Sequence, residues 1–305
     1  MDASLNETRA APFALGDWSR RQLARVEQAL AQWVEADAPA GLGEAMRYAV
    51  LDGGKRLRPW LVLAAAEAVQ GHGEAALRAG CAVELIHAYS LVHDDMPCMD
   101  DDVLRRGKPT VHVRFGQARA LLAGDALQAL AFELLTPADA VVPAPLQADL
   151  CRLLALAAGH RGMAGGQAID LASVGLQLDE DQLRHMHRLK TGALLQACVC
   201  MGAACGRAPA PARDRLADYG AAVGLAFQVV DDILDVTADS STLGKTPGKD
   251  AAQHKPTYVS VLGLERSRTH AQALLQQAQA ALAASGLADT RALSALADMV
   301  VNRNS

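Results

Sequence analysis

The chain has 305 residues, of which 51% are hydrophobic, 21% are charged and 4% are aromatic, and its formal net charge is −5. The hydrophobic share excludes a disordered chain, and an apolar content dominated by Ala and Leu with few aromatic residues favours helices over strands. The negative net charge leaves no general basic surface for nucleic acid or anionic lipid.

The N-terminus and the cysteines indicate a cellular compartment. The first residues are polar and lack the apolar core of a secretory signal. No uncharged apolar run reaches the roughly 18 residues that a membrane span requires. The six cysteines show no CxxC spacing, so we interpret them as reduced thiols. We therefore expect a cytoplasmic protein without membrane insertion.

Helical periodicity recurs along almost the whole chain. The first predicted helix covers residues 18–33, with Asp17 as its N-cap. No window shows the alternation typical of strands, and the Pro-containing turns are too short to be interdomain linkers. The sequence therefore predicts one all-α domain over residues 1–305. Its further predicted helices cover residues 56–69, 74–95, 117–135, 146–171, 179–205, 213–236, 256–264, 267–284 and 289–302.

The first of two acidic clusters follows the long apolar helix predicted at residues 74–95. Five aspartates lie between residues 94 and 102, and Asp94, Asp95 and Asp100 form a DDx₄D pattern. On a continuous helix, Asp94 and Asp100 would project about 120° apart. Because Pro97 interrupts a helix, we expect the helix to end near Asp95 and the next loop to bring Asp100 back.

The second cluster, Asp231, Asp232 and Asp235, lies inside another predicted apolar helix. Residues i and i+4 are about 40° apart on a helix, so Asp231 and Asp235 share a face. Carboxylates about 5 Å apart repel by roughly 3 kcal/mol, and an all-oxygen site favours Mg²⁺ that bridges to phosphates. A solvated acidic helix end is the alternative for one cluster alone, but two such clusters favour a polyphosphate-binding metal site.

Basic residues accompany the acidic clusters. The loop Gly53–Pro59 (GGKRLRP) carries three cations beside two glycines before a helix, where an anion could bind. Taken alone, such a loop is more typical of a solvated turn. Lys190 lies within an apolar helix, an unfavourable place for an unpaired ammonium. Residues 244–256 form a Gly/Pro-rich basic loop that we interpret as a lid; the pattern is not a P-loop.

Together these motifs make the chain resemble the trans-isoprenyl diphosphate synthases. The resemblance extends from about Gly41 to the C-terminus, whereas residues 1–40 carry no such signal. The longer DDx₄D form is typical of bacterial short-chain members. The motifs that carry the resemblance are GGKRLRP (53–59), IHAYSLVHDDMPCMDDDVLRRGKPTVH (86–112), MAGGQAIDL (163–171), LKTGALL (189–195), FQVVDDILD (227–235) and LGKTPGKDAAQHKPTYVSVLG (243–263).

The resemblance implies an all-α bundle around a deep central cavity, a homodimer and small-molecule diphosphate substrates. The implied activity joins dimethylallyl or geranyl diphosphate to isopentenyl diphosphate and yields farnesyl diphosphate. The six aspartates named above would hold Mg²⁺, up to three ions, and Mn²⁺ could substitute. The implied allylic and catalytic residues are Arg105, Lys190, Thr191, Gln228 and Lys245, with Lys255 for the allylic diphosphate; those for isopentenyl diphosphate are Lys55, Arg58, His87 and Arg106.

Product length is expected to depend on Tyr89 and Ser90. They precede Asp94 by five and four residues, or roughly 6–7.5 Å along a helix, so they should form the floor of a pocket under the diphosphate site. A core aromatic with a satisfied hydroxyl is the alternative for Tyr89. Within the resemblance, a large residue there with small Ser90 beside it suits a C15 product.

Three other interpretations remain open from the sequence. The same chemistry could stop at C10 or C20. A class I terpene cyclase also uses aspartate-rich metal sites, but GGKRLRP and His87 provide an isopentenyl site that a cyclase lacks. A non-catalytic subunit of a heteromeric synthase would have a degraded aspartate motif. Cys98, in the loop of the first motif, could make the site sensitive to oxidation.

Overall fold

The computed structural model describes residues 13–51, 53–237 and 256–303. Most of these residues are helical. Two short strands of two residues each, Leu104–Arg105 (β1) and Lys108–Pro109 (β2), pair as an antiparallel hairpin. The helices are α1 Leu15–Trp33, α2 Leu42–Val50, α3 Leu57–Ala68, α4 Gly73–Asp94, α5 Val111–Phe115, α6 Gln117–Leu135, α7 Ala144–Ala158, α8 Met163–Ala172, α9 Glu180–His187, α10 Ala193–Ala204, α11 Ala210–Thr237, α12 Tyr258–Leu262, α13 Leu264–Ala284 and α14 Arg291–Val301.

Helix α4 lies at the centre of the bundle, as its apolar sequence predicts. It packs against α3 and α6, while α10 packs against α3 and α11, and α11 against α13. In the part of the chain that the structure describes, α4 alone is long and apolar enough to cross a membrane, but 67% of that stretch is buried inside the fold. It is therefore a core helix whose C-terminal end faces a cavity.

Several predicted boundaries were wrong, and local chemistry explains them. Helix α1 begins at Leu15, and Asp17 lies in its first turn instead of capping it. Helices α2 and α5 and the hairpin are too short for a periodicity to reveal them. The helix predicted at 146–171 is two helices, because a turn at Gly159–Gly162 separates α7 from α8. The helix predicted at 256–264 breaks at Gly263, whose φ is +79°.

The predicted helix over residues 179–205 contains a local irregularity. It starts at α9, where Asp179 forms a capping box with Gln182. It then widens into one π-helical turn, Arg188–Gly192, before continuing as α10. Such turns are frequent at functional sites, and this one carries Lys190 and Thr191.

Candidate active site

A cavity of about 540 Å³ opens between α4, α8, the π-helical turn and α11. Its wall combines carboxylates, cations and apolar groups. Acidic residues reach it from α4, α8, α11 and the loop after α4, and Tyr89, Ser90 and Phe227 also line it. The acidic lining residues are Asp94, Asp100, Asp102, Asp170, Asp231, Asp232 and Asp235, and the basic ones are Arg58, His87, His93, Arg105, His187 and Lys190.

The first acidic motif folds as its proline predicts. Helix α4 ends at Asp94, and the backbone N–H of Asp100 donates to the carbonyl oxygen of Asp94 at 2.8 Å. Asp102 donates likewise to the carbonyl of Asp95 at 3.1 Å. The loop therefore returns on the helix end, which brings Asp94 and Asp100 to the same cavity wall.

Asp95 lies apart from the other motif carboxylates. Its buried side chain accepts from Arg105, with Nε at 2.9 Å from both carboxylate oxygens and Nη2 at 2.5 Å from Oδ1. Burial alone would lower the pKa of Arg105, but the Asp95 carboxylate raises it above the usual value. Asp95 lines a smaller neighbouring cavity of about 70 Å³. In this arrangement it holds the Arg105 guanidinium at the edge of the main cavity.

The second acidic motif presents all three carboxylates to the main cavity. The Thr191 hydroxyl donates to Gln228 Oε1 at 2.8 Å, and Gln228 Nε2 donates to Asp232 Oδ1 at 2.8 Å. The backbone N–H of Tyr258 donates to Asp232 Oδ2 at 2.7 Å. Asp232 is thereby held by the Gln228 amide of its own helix and by the backbone of α12, and Thr191 links Gln228 to the π-helical turn.

The Lys190 ammonium, which lies in an apolar helical segment, is paired with a carboxylate of α8. Its Nζ donates to Asp170 Oδ2 at 2.5 Å, and both side chains line the cavity. The two elements touch because Gly166 has no side chain: a Cβ there would lie 2.1 Å from the backbone nitrogen of Lys190. Gln167 also lines the cavity, and its buried amide atoms have no hydrogen-bond partner within the described ranges.

The three cations of the basic loop before α3 lie in three different environments. Arg58 lines the main cavity, whereas Lys55 is exposed. Arg56 is buried, with hydrogen bonds to Glu84 and Glu27 at 2.7 Å each, and it stabilises the loop in a left-handed turn of φ +48°. Arg56 therefore anchors the loop and leaves Arg58 to the cavity.

His87 and Arg106 lie near this loop. Burial, followed by the charge of Arg58, holds the pKa of His87 well below its usual value, so the imidazole is neutral at pH 7. The guanidinium of Arg106 donates to the carbonyl oxygen of Gly53 at 2.5 Å. His87 lines both cavities, and Arg106 lines the smaller one.

One residue that the sequence did not suggest, Arg303, reaches the second motif. Its Nη2 donates to Asp231 Oδ1 at 2.8 Å and to the carbonyl of Phe227 at 3.0 Å, and its Cζ lies 4.1 Å from the Phe227 ring centroid. Burial and then the charge of Arg303 lower the pKa of Lys55. A lone arginine near the C-terminus has no sequence signal, because its role depends entirely on tertiary packing.

The donor set suits a hard divalent cation. Burial raises the pKa of Asp94 to about 6; the charges of Asp100 and Asp95 add to this shift, and the charge of Lys190 opposes it. The ionised form of this carboxylate is therefore unfavourable in the cavity, and a bound cation would stabilise it. No three acidic, His or Cys side chains of the described residues are close enough to enclose a metal. Mg²⁺ commonly uses one or two carboxylates plus substrate phosphates, and the opposed acidic groups fit that mode.

Two predicted site residues, Lys245 and Lys255, lie outside the described residues. The other predicted residues group as follows. Tyr89, Ser90, Thr191 and Gln228 line the main cavity together with five of the six motif aspartates. Asp95 and Arg106 line the smaller one, and Lys55 lines neither.

Comparisons with known proteins identify the family and the fold of the chain. The polyprenyl synthetase family model matches residues 39–292. The farnesyl diphosphate synthase of Escherichia coli (strain K12) is 48% identical over 270 residues, covering 86% of this chain and 89% of that protein. A crystal structure of an FPP/GFPP synthase from Zymomonas mobilis is 43% identical, with a TM-score of 0.84 over 94% of this chain and 98% of its own.

A second solved structure is a geranyltransferase from Helicobacter pylori complexed with magnesium and isoprenyl diphosphate. It is 34% identical, with a TM-score of 0.82 over 95% of this chain and 97% of its own. The comparisons confirm the predicted all-α fold and the predicted class of enzyme, a prenyltransferase. The chain belongs to the polyprenyl synthetase family.

Proposed function

We propose that the chain condenses dimethylallyl and geranyl diphosphates with isopentenyl diphosphate, releasing diphosphate and (2E,6E)-farnesyl diphosphate. One observation carries this proposal: carboxylates from the end of α4 and from α11 line a single cavity that continues to Tyr89 and Ser90. A charged region beside an apolar one matches a substrate with a diphosphate head and a hydrocarbon tail.

The allylic diphosphate would bind between the two acidic motifs. Asp94, Asp95, Asp100, Asp231, Asp232 and Asp235 would hold Mg²⁺, up to three ions, with Mn²⁺ as a substitute. When bound, the metal supplies positive charge that stabilises the departing diphosphate. Asp95 and Asp231 would first exchange their present partners, Arg105 and Arg303. The magnesium in the H. pylori relative supports this assignment.

The protein's own cations would assist the same step. Arg105 and Lys190 line the cavity and would neutralise charge that develops on the leaving oxygen, with Lys245 and Lys255 contributing from the basic loop. The allylic C–O bond breaks, and the Thr191 and Gln228 oxygens, 2.8 Å apart, would face the electron-poor carbons. The isopentenyl double bond attacks, and a proton then leaves to the departed diphosphate.

The isopentenyl diphosphate would be bound by Lys55, Arg58, His87 and Arg106. Burial gives Arg58 and His87 strong interactions with an anion, since little water screens them. A neutral His87 can donate one hydrogen bond to the diphosphate while its other nitrogen accepts another. This assignment separates the present enzyme from a terpene cyclase, which consumes an allylic diphosphate alone.

The assembly and location belong to the same proposal. We expect a homodimer, because α5 and α6 expose the apolar residues Val113, Leu121 and Leu122 at 46–56% and such neighbouring groups favour burial against a second copy. The substrates are small diphosphates, so nucleic acid is not a partner, and the cytoplasm is the expected compartment.

The test is to incubate the purified chain with Mg²⁺, isopentenyl diphosphate and each allylic diphosphate, and to size the dephosphorylated products by chromatography. We expect C15 products from both allylic substrates.

Two variants test the product length. Tyr89→Ala, which enlarges the cavity at its floor, should give longer products, and Ser90→Phe, which fills this space, should stop at C10. Conversion of geranyl diphosphate without isopentenyl diphosphate would indicate a cyclase, and an inactive, folded chain would indicate a regulatory subunit. A C15 product from both variants would show that Tyr89 and Ser90 do not limit the product length.

A further inference from the structure

His187, the last residue of α9, lies beside the second acidic motif with both ring nitrogens unpaired. Its side chain is 7% exposed and lines the main cavity. Neither Nδ1 nor Nε2 has a hydrogen-bond partner within the described residues. A buried polar group without a partner lowers the stability of a fold. If this ring only filled space, an apolar ring would serve better.

The Nε2 atom of His187 faces a carboxylate of the second acidic motif. It lies 3.8 Å from Asp232 Oδ2, beyond the roughly 3 Å of a hydrogen bond. A shift of about 1 Å would make Asp232 its acceptor, and hydrogen bonds of active sites often shorten only when the ligand binds. Burial and then the charge of Lys190 lower the pKa of His187 to about 4. A neutral donor orients a carboxylate and leaves its negative charge to a cation.

Tyr258 sets the position of the imidazole. The His187 and Tyr258 rings are stacked, with centroids 5.4 Å apart and an interplanar angle of 26°, and Tyr258 is fully buried. The Tyr258 ring also contacts His270 of α13, with centroids 5.7 Å apart. Because the backbone N–H of Tyr258 donates to Asp232 Oδ2 at 2.7 Å, the same residue holds the carboxylate and supports the ring that faces it.

We infer, building on the proposed prenyl transfer, that His187 is a positioning residue of the diphosphate site: when metal and diphosphate bind, its Nε2–H donates to Asp232 and fixes the orientation of this carboxylate. Carboxylates that bind metals are commonly held by such hydrogen bonds, and loss of one weakens metal binding by about ten- to a hundredfold. The alternative is that the ring serves only to pack against Tyr258. The two roles use different parts of the side chain, so substitutions can separate them.

Two substitutions make this separation. His187→Phe keeps a ring for the stack and removes both nitrogens, whereas His187→Gln removes the ring and places an amide nitrogen close to the position of Nε2. The readout is the Mg²⁺ concentration that gives half of the melting-temperature shift at a fixed, saturating concentration of inorganic diphosphate, measured by differential scanning fluorimetry. We expect this concentration to rise about tenfold in His187→Phe and less than about threefold in His187→Gln.

Steady-state kinetics and stability without metal give two further readouts for His187→Phe. The variant should need about tenfold more Mg²⁺ for half-maximal turnover, while KM for isopentenyl diphosphate at saturating Mg²⁺ stays within about threefold. In EDTA its melting temperature should equal or exceed that of the wild-type chain, because no buried nitrogen is left without a partner.

Two controls share the chemistry of these substitutions. His185→Phe makes the same change at an exposed histidine of α9 and should leave the Mg²⁺ dependence unchanged. His187→Asn also replaces the ring with an amide, but its nitrogen lies close to the position of Nδ1 and does not reach Asp232, so it should need as much Mg²⁺ as His187→Phe. If His187→Phe fails to fold, the comparison of His187→Gln with His187→Asn decides alone.

Three results overturn the inference. One is a wild-type Mg²⁺ dependence of His187→Phe, since the ring alone would then matter. The second, where His187→Phe does not fold, is an equal Mg²⁺ dependence of His187→Gln and His187→Asn. The third is a wild-type chain that Mg²⁺ and diphosphate do not stabilise jointly. If the wild-type chain joins no isoprenoid units, the proposed function has failed, but the melting-temperature shift requires no turnover and still tests His187.

Discussion

Three pairs of opposite charges place the groups of the cavity before any ligand binds. Asp95 holds Arg105, Asp170 holds Lys190, and Arg303 holds Asp231, each through a hydrogen bond of 2.5–2.9 Å. Without such partners, buried charges of this kind would carry a large desolvation cost. Among the described residues, Asp94 forms no comparably close ion pair with a cation, and the pKa of its carboxyl is raised.

This difference gives a prediction for stability in the absence of metal. The pKa of Asp94 is about 6 in the folded chain against a usual value of 3.8. Between these values the folded state keeps a proton that the unfolded chain has lost, so the free energy of unfolding falls as pH rises from 4 to 6. Asp94→Asn removes the charge and should be more stable than wild type at pH 7.5 by on the order of 2 kcal/mol, with little difference at pH 4.

Urea denaturation in EDTA at the two pH values measures this effect. Asp101→Asn is the control, because Asp101 is an exposed acid of the same loop and should leave the stability unchanged. Turnover of Asp94→Asn with Mg²⁺ should fall by orders of magnitude although the fold is stabilised. Equal or lower stability of Asp94→Asn at pH 7.5 would contradict the desolvation of Asp94.

At the residue level, the sequence was informative about acids and less so about their partners. The return of Asp100 to Asp94 followed from Pro97, since proline acts locally. The pairing of Asp95 with Arg105 or of Asp231 with Arg303 could not be predicted in this way. Partners separated by a loop or by most of a domain are decided by packing, which a spacing rule does not contain.

At the scale of elements, the contact between α8 and the π-helical turn fixes the position of the Lys190 ammonium. The close approach of Gly166 to Lys190 aligns Asp170 with the ammonium. The periodicity predicted a helix through residues 179–205, and the chain is helical there, but the extra residue of the π-turn carries no periodic signal. The break between α7 and α8 was equally hidden, because the flanking apolar residues continue the helical pattern.

Gly166→Ala tests this contact. The added Cβ would lie 2.1 Å from the Lys190 nitrogen and 2.4 Å from its Cα, and backbone atoms can yield only by separating the two elements. We expect a loss of about 1–3 kcal/mol of stability, as for other overpacked sites, and a kcat at least tenfold lower because Lys190 and Thr191 move.

Denaturation and steady-state kinetics on the same preparation separate the two effects. Gly73→Ala, in open space, should leave both quantities near wild type. If Gly166→Ala loses stability but keeps its kcat, the contact serves the fold alone.

At the scale of the whole molecule, the fold brings together two acidic groups that are far apart in the chain. One ends α4 and the other lies within α11, and both line the same cavity. That juxtaposition was predictable only in outline: two acidic motifs inside apolar helices require a shared counter-ion, but their distance across the cavity depends on how α4, α10 and α11 pack. We therefore expect metal binding at these aspartates to depend on the diphosphate substrate.

Because no three ligands already enclose a metal among the described residues, Mg²⁺ and diphosphate should stabilise the chain jointly. We expect millimolar Mg²⁺ or inorganic diphosphate alone to change the melting temperature by less than about 1 °C. Both together, at about 100 times their dissociation constant, should add about 2.7 kcal/mol, or roughly 5 °C for a chain of this size. Differential scanning fluorimetry measures the shift without requiring turnover.

The double variant Asp94→Asn/Asp231→Asn identifies the source of that shift. It removes one carboxylate from each motif, so a phosphate-bridged metal loses a ligand on both sides and the joint stabilisation should disappear, whereas Asp101→Asn should retain it. A full shift with Mg²⁺ alone would mean that one motif binds the ion without the substrate. A joint shift that survives in the double variant would mean that the diphosphate binds to the cations without the aspartates.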